Sequence, residues 1–261
     1  MSEPGPLLLG SEELETLLHV LGDAAALPGR LAPTWHLEHT DDPAYLTAIR
    51  RTAAHSLLAR GLVRHVGERF EVEPGIAALL AVPTRPSIGF EFDLEHGATV
   101  VSGAACATAD HAVLVLPRLD GTVLVRGLVP GELAHAVVEI AGAAAPGPAG
   151  LDLPRAVLAE PLGSADPAVL AERGLTPEQA ETLAGILRAR TGSGRAFAVS
   201  RGDGPDWSSS PLPVSWWDTT MGRFLVGPGP LGPDGQPLVN VQGCTDLELR
   251  NALAELTATV V

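Results

Sequence analysis

Val214-Ser215-Trp216-Trp217-Asp218-Thr219-Thr220-Met221-Gly222-Arg223-Phe224-Leu225-Val226 reads as a strand, a Gly-Arg turn and a second strand, and the chain uses this pattern twice. Val113 to Leu116, Gly121-Thr122 and Val123 to Val125 fall opposite Val214 to Trp217, Gly222-Arg223 and Phe224 to Val226, at one offset of 101 positions, 113 to 214 and 121 to 222. The helices that follow align too: Leu133, Val137, Ile140 and Ala144 against Leu249, Leu253, Leu256 and Val260, at an offset of 116. The second copy thus carries 15 additional residues between strand and helix. A sheet-centred unit present twice predicts an α+β scaffold of two related halves, residues 1–145 and 151–261, packed as one unit.

Upstream of the repeat, Leu14, Leu17, Leu18 and Leu21 recur at helical spacing from Ser11 to Leu21, with Ser11 as the cap and Gly22 as the stop. A second helix is predicted from Pro43 to Arg60, capped by Asp42, with Leu46, Ile49, Ala53, Leu57 and Leu58 on one face. Residues 62–65 and 69–72 flank Gly67 as a short hairpin, and a short helix follows at Pro74 to Ala81 before Pro83 and Pro86. The period then changes from helical to extended. Runs at 88–94, 99–108, 112–116 and 122–128 are separated by short turn sequences and predict an antiparallel meander, closed by a helix from Gly131 to Ala144.

Pro146-Gly147-Pro148-Ala149-Gly150 reads as a linker. Beyond it, helices are predicted at 167–173 and 177–190, capped by Asp166 and Thr176, and strands at 195–200, 214–219, 223–226 and 238–242. Thr245-Asp246-Leu247-Glu248 is a capping box, in which hydroxyl and carboxylate satisfy each other's backbone N–H groups at the start of the last helix.

Composition narrows the function. A chain of 261 residues buries roughly 70–75% of its unfolded surface and needs no disulfide support. Cys106 and Cys244 have no CxxC or Cys/His spacing, which favours buried thiols in a reducing compartment over a bridge or a zinc site. No apolar run has the length of a membrane helix, and Leu7-Leu8-Leu9 is too short for a signal peptide, so a soluble cytoplasmic protein without membrane insertion is expected. All 17 basic residues are arginine, a mark of a GC-rich genome. The formal charge of −14 repels phosphate backbones and argues against nucleic acid as a partner.

Each candidate for chemistry fails on its context. Gly227-Pro228-Gly229-Pro230-Leu231-Gly232 matches GxGxxG, yet Pro230, Pro233 and Pro237 interrupt the region where a dinucleotide site needs a helix to open. This stretch reads as a connector. His36, Glu38, His39, Asp41 and Asp42 supply metal-ligand types in a segment with no periodicity to fix them. His19, His55, His65, His96, His111 and His135 occur singly. No GxSxG elbow exists, Ser208-Ser209-Ser210 sits in a polar loop, and Arg201-Gly202-Asp203 is a chance tripeptide. Residues 42–72 resemble half of a winged helix with Arg50, Arg51, Arg60, Arg64 and Arg69, but Glu68, Glu71 and Glu73 occupy the wing where phosphates would lie. No catalytic, cofactor-binding or metal residue is therefore assigned, while a winged-helix regulator and an enzyme whose site is dispersed in sequence remain as alternatives. Trp207, Trp216 and Trp217 lie within eleven positions, and in a strand Trp216 and Trp217 point to opposite faces, one into the core and one toward a helix layer or a partner.

These blocks resemble the EspG family, the cytosolic specificity chaperones of actinobacterial type VII (ESX) secretion. The likeness is clearest at 214–226, where the family shows a similar D-T-x-x-G-R-x-L-V run, and continues through Gly243 to Thr259. Residues 51–85 and 118–139 have the same character. The resemblance implies a central antiparallel sheet flanked by N- and C-terminal helical bundles with approximate two-fold internal symmetry. It also implies stoichiometric binding of the helical tip of PE-PPE heterodimers, or another helical secretion substrate, with no catalysis and no cofactor, by a monomer or weak homodimer. The implied interface is the exposed sheet face and the C-terminal helices, and within it Trp207, Trp217, Met221 and Phe224 are the expected contact residues. One departure is the turn after the first central strand, long in several relatives and here only Glu95 to Gly97.

Overall fold

The computed structural model describes residues 5–22, 42–67, 69–148, 150–158, 165–201, 207–233 and 235–260. His36, Glu38, His39 and Asp41, Gly202 and Asp203, and Glu68 lie outside them. The first half contains β1 (Leu7–Gly10), α1 (Ser11–Leu21), α2 (Pro43–Ala59), β2 (Val63–Val66), β3 (Arg69–Val72) and α3 (Pro74–Thr84). It continues with β4 (Ile88–His96), β5 (Thr99–Ala107), β6 (Ala112–Pro117), β7 (Thr122–Leu128) and α4 (Leu133–Ala141). The second contains β8 (Leu151–Pro154), α5 (Arg155–Leu158), α6 (Pro167–Glu172), α7 (Pro177–Ala189) and β9 (Arg190–Arg201). It ends with β10 (Trp207–Ser209), β11 (Val214–Thr219), β12 (Gly222–Leu231), β13 (Pro237–Gly243) and α8 (Asp246–Thr257).

Caps set the helix boundaries as the residue types require. Asp42 accepts from Ala44 and Tyr45 N–H at the start of α2, and Thr245 and Glu248 close their reciprocal box at α8. At α1 the cap is Gly10 rather than Ser11, and the Glu13 carboxylate reaches back to the Gly10 N–H at 2.9 Å. Pro83 lies within the last turn of α3 instead of ending it.

One antiparallel sheet runs through both halves in the order β1-β7-β6-β5-β4-β9-β11-β12-β13-β8, with β10 paired to β9. Outward from the central β4–β9 pair, each half lays down four strands in chain order and finishes with an edge strand that precedes them in sequence. The register at the centre pairs Phe92 with Ala196 and Asp93 with Arg195. Topologically, β4, β5, β6 and β7 correspond to β9, β11, β12 and β13. The 101-residue sequence offset instead matches β6 to β11 and β7 to β12, one strand out of step. The 15 additional residues are accounted for by β13, which that alignment leaves without a counterpart. The helix alignment does hold: Leu133, Val137, Leu249 and Leu253 all enter one core cluster.

Three expected loops are built into the sheet, the first being Ser208-Ser209, read as a polar loop but part of β10 and paired with Ser200 and Val199 of β9. Residues 227–231, read as a connector, extend β12 along β13 past Val226, the last β12 residue paired with β11. Pro228 and Pro230 are tolerated because this extension is bonded on one edge only. The 146–150 linker is likewise not free: Pro146 bridges to Arg223, Gly147 N–H donates to Arg223 O at 2.9 Å, and a Cβ on Gly150 would stand 1.9 Å from Val241 O. Only glycine lets this segment lie directly on β12 and β13.

The sheet has different cover on its two faces. Phe90, Phe92, Leu94, Ala105, Leu114, Ala196, Ala198 and Trp216 point to one face and are buried beneath α4 and α8. The other face carries two separate clusters. Ala104, Cys106, Val113, Val115, Val123 and Val125 pack under α1, α2 and α3, while Phe224, Val241 and Leu153 pack under α5, α6 and α7.

Candidate partner-binding site

Between those two clusters lies the middle of the sheet. Since directly paired residues share a face and neighbours alternate, Glu91, Asp93 and Glu95 of β4 lie beside Phe197, Arg195 and Ser193 of β9 on the face away from α4 and α8. Ser102 of β5 and Ser215 and Trp217 of β11 continue the same surface. Among the described residues, α3 lies against β5 and β6 on this side and α7 against β11, so that β4 and β9 floor a trough between those helices. From β5 to β11 is three strand spacings, about 14 Å.

The floor is polar and organised. Asp93 accepts from Ser102 Oγ at 2.6 Å and from Arg195 Nε at 2.9 Å, and Glu95 accepts from Ser193 Oγ at 2.7 Å with Arg190 at 3.6 Å. Asp93 is nearly covered, whereas the Arg195 side chain keeps 56% of its surface exposed. The pair therefore presents a cationic arm above a fixed carboxylate. Toward the Arg201 end of β9 the same face runs from Phe197 through the buried Val199 to Arg201, paired with Trp207, the guanidinium lying 5.7 Å from the Trp207 ring centroid. Arg201 also donates to Thr84 O at 2.6 Å, which ties this end of the trough to α3.

The four expected contact residues are not brought together. Trp207 and Trp217 are half-buried on the trough face but sit toward opposite ends of β9, opposite Arg201 and Ser193 respectively. The span between them is about 26 Å at the rise of a strand. Met221 is exposed in the β11–β12 turn beyond Trp217. Phe224 is a correction: it pairs directly with Trp217 on the same face, but Gly147 lies against its ring and it is fully buried in the cluster under α7. A side chain with no accessible surface cannot meet a partner, so Phe224 is part of the core. Sequence reasoning missed Arg195, Asp93, Phe197 and Ser193, which become neighbours only through the β4–β9 register.

The D-T-x-x-G-R stretch builds a clamp behind the trough. Arg223 is 1% exposed and donates from Nε to Asp218 at 2.6 Å, from Nη1 to Asp246 at 2.8 Å, and from Nη2 to the carbonyls of Gly142 at 2.9 Å and Ala141 at 3.3 Å. The guanidinium fork thereby joins β11, the C-terminus of α4 and the N-terminus of α8. Gly222 turns into it at φ 123°, and a Cβ there would stand 2.7 Å from Ala145 O. Thr219 Oγ1 closes the turn by donating to Gly222 O and accepting from Met221 N–H. This stretch is thus a joint between the two halves.

Other surfaces offer less. Arg50 and Arg60 pair with Glu15 and Glu13 of α1, and Arg64 with Glu71, so these arginines tie helices and hairpin together. Residues 227–231 open no helix that would receive a pyrophosphate. The Cys106 and Cys244 thiols are free and buried, and burial pushes both up to about 12, far from the thiolate needed for nucleophilic chemistry. Among the described residues no His, Cys, Asp and Glu cluster has the form of a metal site, and no helix is long and apolar enough to cross a membrane.

No curated protein matches the chain in sequence. Among solved structures it is similar to the Mycobacterium tuberculosis type VII secretion system chaperone EspG5, in the structure of its complex with the PE25–PPE41 dimer. The TM-score is 0.70 at 14% identity, covering 98% of this chain and 97% of that one. The large antiparallel sheet with flanking helices is common to both. The EspG family model matches residues 11–255, so the chain belongs to the EspG family.

Proposed function

We propose that this protein is a cytosolic chaperone of type VII secretion that holds the helical tip of a PE-PPE-like client in the trough, keeping it soluble until export. The observation that carries the reading is the asymmetry of the sheet among the described residues: one face is covered by α4 and α8, while on the other β4 and β9 lie between two helical layers with the Arg195 side chain 56% exposed. Family membership and the likeness to EspG5, solved with PE25–PPE41, support the type of client. The polar floor then sets alignment, through Asp93, Glu95 and Arg195, and the half-buried Trp207 and Trp217 supply apolar contact at the ends, with Met221 beyond the second. Binding of this kind is stoichiometric and uses neither catalytic group nor cofactor.

Co-expression with PE-PPE pairs from the same secretion locus tests the reading. A stable complex is expected, weakened at least tenfold by Arg195→Glu, since a fixed charge in the middle of an interface accounts for about 2 kcal/mol, and by a smaller factor by Trp217→Ala at the end of the trough. Failure of every such client to co-purify refutes the partner assignment. Binding unaffected by both substitutions refutes the trough as the site.

A further inference from the structure

A continuous sheet that is not closed into a barrel has two edges, and each exposes backbone groups ready to pair with another strand. Residues two apart in a strand direct their N–H and C=O groups to the same edge. On β1, Leu8 O accepts from Arg60 Nη2 at 2.6 Å and Gly10 N–H donates to Glu13 Oε2 at 2.9 Å, so groups two residues apart are taken by side chains instead of by a strand. Those two side chains are themselves an ion pair, and Ser56 Oγ donates to the second Glu13 oxygen at 2.6 Å. Guanidinium and carboxylate together thus supply the donor and the acceptor that a neighbouring strand would bring.

The opposite end of the sheet repeats the arrangement with other residues. Asp152 O of β8 accepts from Gln179 Nε2 at 2.8 Å, and Gln179, like Glu13, is the third residue of its helix, reaching back to a cap position. Pro154, two residues on, has no N–H to offer. The part of β12 that runs past its pairing with β11 carries Pro228 and Pro230, again two apart and without donors. Unlike chemistry has thus closed three separate stretches of open edge.

We infer that the Glu13–Arg60 pair is a plug on the β1 edge that prevents β1 from pairing edge to edge with β1 of a second copy of this chain. The occupant is a second copy because β1 is short and apolar, Leu7-Leu8-Leu9, and an antiparallel pair of identical strands is self-complementary. Overall charge is a separate barrier: the net −14 acts between copies at long range and is screened by salt, whereas the plug acts only on contact.

Sedimentation velocity across a concentration series, at low and at 0.5 M salt, separates the two. The Arg60→Met/Glu13→Met variant removes both the donor and the acceptor and is expected to self-associate at concentrations at least tenfold below those of the unaltered protein, at both salt levels. Adding Leu8→Pro deletes the N–H of an outward-facing residue and is expected to restore the unaltered behaviour. Circular dichroism melts establish that each variant is folded at the temperature used. A folded Arg60→Met/Glu13→Met variant that associates no more than the unaltered protein overturns the inference. So does association that persists undiminished in the folded Leu8→Pro triple variant. Should Arg60→Met/Glu13→Met not fold, Arg60→Met alone, with Glu13 still capping α1, is measured against the same two criteria.

Discussion

Replacing Arg223 by methionine should be among the most costly single changes in this protein. Its guanidinium is buried and makes four hydrogen bonds, two to carboxylates and two to the carbonyls that end α4. Methionine fills much of the space but leaves Asp218, whose side chain is only 13% exposed, as a charge without its partner, and the carbonyls of Ala141 and Gly142 without their donor. Asp246 is 40% exposed and recovers water, so its share is small. Breaking a buried pair from one side costs about 3–5 kcal/mol, much of a typical domain stability of about 5–15 kcal/mol. The midpoint of thermal unfolding should fall by about 10 °C. Urea unfolding followed by tryptophan emission measures the loss, since Trp216 sits in the sheet beside this joint. The double variant Arg223→Met/Asp218→Asn should recover part of it, because no unpaired charge is then buried. A loss under about 1 kcal/mol for Arg223→Met would refute the view that the D-T-x-x-G-R stretch is a joint between the halves.

Gly194→Ala places a Cβ 2.0 Å from Trp216 Cζ2 and should cost about 1–3 kcal/mol by overpacking, measured by the same unfolding assay. Cys106 and Cys244 should react with Ellman's reagent only at the rate of unfolding, because burial both hides the thiols and raises them to about 12; prompt labelling of either in native buffer would contradict this placement. Burial pushes the Glu13 carboxyl up, but hydrogen bonds from Ser56, Gly10 and Arg60 outweigh it and hold the group below its ordinary 4.5. A depressed carboxyl stabilises the fold fully above the unfolded value and loses that contribution as pH falls through the folded one. Denaturation midpoints measured from pH 6 downward should therefore fall less steeply for Glu13→Gln than for the unaltered protein once pH drops below about 4.5.

Where local chemistry decides an element, the sequence was sufficient. Thr245 and Glu248 mark the start of α8, Asp42 and Pro43 that of α2, and the apolar period of 88–128 yields the four strands of the first meander. Each depends on residues within one turn or one strand of each other. The opposite parity of Trp216 and Trp217 was readable for the same reason, and the first indeed lies in the core beneath α8. The edge strands β1 and β8 escaped because, unlike the equally short β2 and β3 that flank Gly67, neither is joined by a turn to the strand it pairs with, and they are strands only by pairing with the distant β7 and β13. The repeat was visible but aligned one strand out of step, since short apolar runs of equal length resemble one another whichever pair is compared.

Sequence alone thus determined that this is an α+β chain with an antiparallel sheet and with helices set by caps and period, and it pointed to the right family through 214–226. Only the tertiary structure decided which surface is available. Phe224 and Trp217 share a face, yet Gly147, 77 positions away in the chain, buries one and leaves the other half-open. The trough itself depends on Asp93 meeting Arg195 across the β4–β9 pair, a register between residues about a hundred positions apart. That long-range pairing is set by the backbone ladder between β4 and β9 and by the packing of α4 and α8 across the face behind it, and no local pattern encodes either.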